Sequence, residues 1–186
     1  KEMIKTLQDR VMSLATIHRG LYQTSGLTDI RANELLPDIL RQVLKMGSGP
    51  GRRFTVQSAF ADVRLTPDQA VPLSLLLTEA LTNAMKYASP EGDGAARLNV
   101  VLEHLDGSRV MLRVENTSAA TDSDGLANEA GGSGLGTQLM NAFAQQLGTR
   151  IVRTRRDGWY RMAITFDARP LADAEARHAA PADEEV

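Results

Sequence analysis

The stretch Leu75–Ala88, LLLTEALTNAMKYA, constrains this chain more than any other. Leu73, Leu76, Leu77, Ala80, Leu81, Ala84 and Ala88 recur at spacings of three and four, the repeat of one helix face. A stripe that wide has to be buried. Thr66-Pro67-Asp68-Gln69 predicts the helix start: Thr66 as cap, Pro67 at the first helical position, and Gln69 closing a capping box. Pro72 predicts a break between a short first turn and the long helix. Glu79, Asn83, Lys86 and Tyr87 form a second stripe, shifted round the axis. It brings a carboxylate, an amide oxygen and an ammonium together within two turns. The amide oxygen is a neutral hard ligand suited to Mg²⁺ that keeps waters and phosphate oxygens. The ammonium suits phosphate, and the carboxylate can order a water or orient a nucleophile. Taken alone, the same stripe reads equally as a solvated face with an i, i+4 hydrogen bond.

The rest of the chain alternates between helix and strand patterns. In the first segment Ile4, Leu7, Val11, Leu14, His18 and Leu21 make a seven-residue seam, which needs a partner helix to bury it. His18 lies on that seam, and a half-buried packing histidine is its simpler reading. Residues 26–33 form a connector. Glu34–Met46 predicts an amphipathic helix with Leu35, Leu36, Ile39, Leu40, Val43 and Leu44 inward and Pro37 near its first turn. GSGPG at residues 47–51 breaks the chain. Strand periodicity runs from Arg52 through Phe54, Val56 and Ser58, with a second short strand across residues 61–65. Residues 96–104 and 109–116 predict strands around an Asp106-Gly107 turn. Residues 117–133 are small, polar and without period, longer than the ~12–15 residues that structureless loops rarely exceed, which marks a functional or a disordered loop. A helix over 135–147, stopped at Gly148, precedes strands over 150–156 and 159–166 that pair across Asp157-Gly158. The tail from Ala168, rich in Ala, Asp and Glu, predicts disorder.

Gly132, Gly134 and Gly136 alternate and run directly into the helix that begins near Leu135 and Thr137. Glycines let backbone approach a phosphate, and a helix start offers free N–H groups. Alone, this is also how a flexible linker ends at a helix cap. Together with the Glu–Asn–Lys helix and the long loop, it describes a nucleotide held between a metal-binding helix and a phosphate-binding helix start.

A net charge of −2 gives no reason to expect nucleic acid, and no apolar run approaches the ~20 residues of a membrane span. With no cysteine, disulfides and thiolate metal sites are excluded. A cytoplasmic location and no membrane contact fit. The chain begins at Lys1 inside a helical pattern, which suggests a fragment or trimmed product.

TEALTNAMKYA resembles the N box of the GHKL ATPases (gyrase, Hsp90, MutL and histidine kinases), and GSGLG with TQLMNAFAQQLG resembles their second glycine box and its helix. RVMSLATIHRGLYQTSGL resembles the second helix of the dimerisation module in the HisKA_2/HWE group of sensor histidine kinases. The resemblance implies an α+β fold, a Bergerat-type α/β sandwich with a mixed sheet and helices on one face, preceded by a helical dimerisation element. It divides the chain into residues 1–26, a partial dimerisation module; 32–167, an ATP-binding catalytic domain; and 168–186, a tail. It implies that Asn83 is the Mg²⁺ ligand and Glu79 the carboxylate that orients or activates the attacking group. Lys86 and Tyr87 would face the phosphates. Gly132, Gly134, Leu135, Gly136 and Thr137 would form the phosphate loop, and residues 117–133 the ATP lid. The implied reaction transfers the γ-phosphate of ATP to a histidine for relay to a response regulator, in a homodimer built through the N-terminal helix. The family's acceptor histidine lies on the first dimerisation helix, expected upstream of Lys1, so His18 is not nominated.

One motif departs from the family pattern. Where an Asp-x-Gly-x-Gly box is usual, the chain reads RVENTSAA, with Asn116 at the Asp position and Ser118 and Ala120 at the glycines. An amide oxygen still accepts a bond from adenine's amino group but is neutral, a loss of ~1 kcal/mol. Two alternatives follow: a phosphotransfer or scaffold protein with a degenerate site, and an anti-sigma-factor-type kinase of the same superfamily.

Overall fold

A computed structural model of the chain describes residues 29–47, 53–90, 94–119 and 135–169. The N-terminal seam with His18, Gly132 and Gly134, most of the expected lid and nearly all of the tail lie outside the described residues. The elements run β1 Ile30–Arg31, α1 Ala32–Gly47, β2 Phe54–Phe60, β3 Arg64–Leu65, α2 Pro67–Tyr87, β4 Ala96–Asp106, β5 Arg109–Thr117, α3 Leu135–Gln146, β6 Val152–Arg156 and β7 Trp159–Asp167. Five strands form one sheet in the order β2-β4-β5-β7-β6. β2 and β4 are parallel, because α2 carries the chain back between them, and the other neighbours are antiparallel. β1 and β3 pair as a separate two-residue ribbon.

Alternation along the strands assigns the faces. On β5, Val110, Leu112, Val114 and Asn116 are buried on one side, in register with Phe166, Ile164, Met162 and Tyr160 of β7. The three helices pack on that side, through Leu36, Ile39 and Leu40 of α1, Leu73, Leu76, Leu77 and Leu81 of α2, and Met140 and Ala144 of α3. The opposite face mixes charged side chains with Val101, Met111, Ala163 and Trp159, and among the described residues it makes no core contact with a helix. There Glu115 is bonded to Arg161 at 2.5 Å and lies 4.0 Å from Arg113, while Arg97 sits 5.1 Å from the Trp159 ring centroid. This is the mixed sheet with one helical layer expected from the sequence.

α2 differs from expectation in two ways. Pro72 does not break it: Pro67–Tyr87 is one helix, and Pro72 is buried within it. The proline forfeits one backbone bond at the end of the first turns, where burial of Leu73, Leu76 and Leu77 offsets the loss. The capping box is also not formed, and Thr66 makes no side-chain cap bond. Gln69 is used elsewhere: Nε2 donates to the carbonyl of Asp167 at 2.7 Å, and Oε1 accepts from the amide of Arg169 at 2.8 Å. Thr66 N–H donates to the Arg169 carbonyl at 3.0 Å. The start of α2 is thus tied to the end of β7, a partner far along the chain that a local motif cannot show.

Every residue from Pro72 to Leu81 is buried, as befits a central helix enclosed on all sides. Its hydroxyls are satisfied within the helix, Ser74 donating to Ala70, Thr78 to Ser74 and Thr82 to Thr78. α3 ends at Gly148 as expected. Gly148 has φ +71, its N–H donates to Gln145 and that of Thr149 to Ala144, a Schellman closure. Gly148→Ala is expected to lower unfolding free energy by about 1–2 kcal/mol, read from denaturant midpoints, because a Cβ disfavours that backbone region.

Candidate functional site

α2 leaves the core at Thr82, and its polar residues mark the exit. Glu79 is only 6% exposed, on the last fully buried turn. Asn83, one turn on, is half-buried, and Lys86 and Tyr87 are exposed. The stripe therefore runs from interior to solvent and is not a uniformly solvated face. A carboxylate is a costly residue to bury, so Glu79 does not belong to ordinary surface. At the outer end the Lys86 ammonium lies 5.1 Å from the Tyr87 ring centroid.

Asn83 faces α3. Its Nδ2 points at the sulfur of Met140 at 3.9 Å, a weak contact that orients the amide and leaves Oδ1 as the available acceptor. Met140 lies one turn beyond Gly136, so Asn83 stands about 6 Å along the axis from the level of the helix start. At that start Leu135 is exposed, Gly136 is buried and Thr137 is half-buried. The first amides of a helix have no partner within it and point outward along its axis. Among the described residues no three His, Asp or Glu side chains converge into a metal cage. The donor set fits a magnesium ion that takes one protein oxygen, from Asn83, and fills its sphere with phosphate and water.

Asn116 ends the core-facing row of β5 and is 2% exposed. Its Nδ2 donates to the Thr117 carbonyl at 2.9 Å, so the oxygen is the free end of the amide. Thr117 clamps this strand end to the chain leaving α2. Its Oγ1 donates to the Ser89 carbonyl at 2.6 Å and accepts from the Arg97 amide at 3.0 Å, while Ser89 N–H donates to the Thr117 carbonyl at 3.0 Å. The structure thus brings Asn83 to α3 and ties the Asn116 strand to the end of α2, with Glu79 one turn inward and Lys86 and Tyr87 at the rim.

Sequence reasoning missed the clamp, because a threonine closing a strand looks like an ordinary β-former. Arg155 and Tyr160, in register with Asn116, were also missed; they become neighbours only once the strand order is known. A cleft of about 80 Å³ lined by Thr55, Gln57, Arg97, Asn99 and Trp159 lies on the opposite, open face. It is well below the ~300 Å³ of a small-ligand pocket. Among the described residues no helix is long and apolar enough to cross a membrane.

Known proteins share the family and the fold of this chain. The family described as histidine kinase-, DNA gyrase B-, and HSP90-like ATPase matches residues 68–170, more than half of the 186-residue chain. The histidine kinase family HisKA_2 matches residues 1–46. No curated protein sequence matches. Among solved structures, the chain is similar to the histidine kinase domain of the Erythrobacter litoralis EL346 blue-light activated histidine kinase, with 19% identity and TM-score 0.70 over 90% of this chain and 77% of that one. Against the longer EL346 chain identity is 18% and TM-score 0.70, covering 95% of this chain but only 52% of that one. The mycobacterial sensor histidine kinase MprB gives 17% identity and TM-score 0.61 over 76% of this chain and 99% of its own. At these identities the likeness is one of fold.

Proposed function

Because the chain belongs to the histidine kinase-, DNA gyrase B-, and HSP90-like ATPase family, we propose that it is the catalytic region of a sensor histidine kinase of the HisKA_2 type. It binds Mg²⁺-ATP and transfers the γ-phosphoryl group to a histidine. The bond to the β-phosphate oxygen breaks, a bond to an imidazole nitrogen forms, and ADP leaves. The phosphoryl group then passes to a response-regulator aspartate. One observation carries this reading: Asn83 of α2 is turned toward α3 one turn from the glycine-box helix start, with its amide oxygen unused.

Each residue has a role in this reading. Asn83 Oδ1 is the protein ligand for Mg²⁺, which screens the phosphate charge. Lys86, Tyr87 and the α3 start, with Gly132, Gly134, Leu135, Gly136 and Thr137, hold phosphate oxygens. Asn116 accepts from the adenine amino group, and Glu79 orients the attacking group. Phosphoryl transfer asks a protein mainly for positioning and charge complementarity, and these residues supply both. Residues 32–167 form the catalytic domain, and residues 1–26 the part of the dimerisation element through which two copies associate.

Calorimetric titration of the chain with ATP, with and without Mg²⁺, tests the reading. Magnesium-dependent heat is expected; none at millimolar nucleotide favours the second reading, a phosphotransfer or scaffold protein with a decayed site. The neutral Asn116 is the observation on that side. Asn116→Asp is expected to tighten ATP about fivefold, from a charge-assisted bond to the amino group. It should also destabilise the ligand-free protein by ~1–3 kcal/mol, because the new carboxylate is buried beside the Thr117 carbonyl that Nδ2 now satisfies. Unchanged affinity would displace the base from Asn116.

A further inference from the structure

Asn116, Tyr160 and Arg155 are direct partners across three neighbouring strands, Asn116 with Tyr160 and Tyr160 with Arg155. Residues in one such row point to the same face, here the helix-covered one. Tyr160 packs against the core from that side. The Arg155 guanidinium lies 5.7 Å from the Tyr160 ring centroid. Its Nε is buried and makes no hydrogen bond. A buried guanidinium N–H without an acceptor is expensive, and most are satisfied.

The row lies at the ligand end of the sheet. On the preceding core-facing position of β6, Arg153 donates to Asn141 of α3 at 3.3 Å. A short connection joins the end of α3 to β6, so β6 runs back along α3 toward its start. Arg155 is two residues further in that direction, about 7 Å toward the level of Leu135 and Gly136. Its Cα is about 10 Å from that of Asn116, two strand spacings away, within reach of a long side chain.

Resting on the nucleotide reading above, we propose that Arg155, propped on the Tyr160 ring, is a base-reading residue of this chain, donating its Nε–H to N1 of adenine beside the amino group taken by Asn116. The two contacts read one edge of the base, the amide oxygen accepting from the 6-amino group and the guanidinium donating to the adjacent ring nitrogen. Guanine presents the opposite pattern, an acceptor at position 6 and a donor at N1, and fails both contacts. A cation at this point also restores electrostatic help that the neutral Asn116 lacks. Tyr160 acts through Arg155 as a positioning residue.

The test compares ATP with 1-deaza-ATP, which lacks only the ring acceptor, by calorimetry in Mg²⁺ on the full chain. The wild-type protein is expected to prefer ATP about tenfold. Arg155→Met keeps the stem over the ring but removes the donor. It is expected to abolish the preference by weakening ATP alone, with a melting temperature no lower than that of the wild-type protein. Arg155→Ala should do the same even if it loses some stability, since the preference is a ratio within one protein. A preference that survives both substitutions, or is absent from a wild-type protein that binds ATP, overturns the assignment and leaves the nucleotide reading intact. A wild-type protein that binds neither nucleotide refutes both.

Discussion

Asn83→Ala is expected to remove the magnesium dependence of nucleotide binding. Without Mg²⁺ the variant and the wild-type protein are expected to bind ATP alike, because the alanine deletes no contact to base or sugar. With Mg²⁺ the wild-type affinity rises and the variant's does not. The gap is expected to reach on the order of 100-fold, the upper end of the range for losing outer-sphere partners of metal ligands, since here the ligand itself is lost. The fold should not suffer. The only side-chain bond that Asn83 makes among the described residues is the 3.9 Å contact to the Met140 sulfur. Asn83→Asp keeps an oxygen in place and should retain magnesium-dependent binding. Calorimetry in magnesium and in chelator reads all three proteins, and a metal dependence that persists in the alanine variant removes Asn83 from the metal site.

The second large effect is on stability and falls at the clamp. In Thr117→Val the shape is preserved and the hydroxyl lost. The Ser89 carbonyl loses its 2.6 Å donor and the Arg97 amide its 3.0 Å acceptor. With Thr117 4% exposed, water does not readily replace them. The cost is expected to be about 2–4 kcal/mol, most of it desolvation of the groups left unpaired. That corresponds to a melting temperature lower by about 10 °C in a protein of this size. Thr117→Ser keeps both bonds and should lie within ~1 kcal/mol of wild type. Because the clamp joins the Asn116 strand to the chain leaving α2, the valine variant should also weaken nucleotide affinity while the serine variant spares it. Equal melting temperatures for wild type and valine variant would show that the clamp contributes nothing.

Much of the fold was legible because its signals are local. The leucine periodicity of residues 73–88, the turns at Gly107 and Gly158 and the stop at Gly148 depend on neighbours within a few positions, and the positive φ of those glycines agrees. Pro72 and Gln69 were misread for the same reason. Their local meanings are helix breaker and capping-box member, and each was overridden by a distant partner, the core around α2 for one and the end of β7 for the other. Of the candidate site, Glu79, Asn83, Lys86 and Tyr87 were legible as a helical spacing, and Asn116 only through the resemblance of its strand end to the family's Asp-x-Gly-x-Gly box. Their depth in the protein was not, since spacing along a helix does not say how deeply each turn is buried.

The amino-acid order by itself determined which segments become helix or strand, which side of each is apolar, and which polar side chains share a helix face. Periodicity and turn chemistry act over one or two turns, so they are written in the chain. Only the tertiary structure decided that Asn83 meets α3, that Thr117 bolts β5 to the end of α2, and that Asn116, Tyr160 and Arg155 stand in one row. Those neighbours come from strand order and register, which are set by how all the apolar faces close over one another at once.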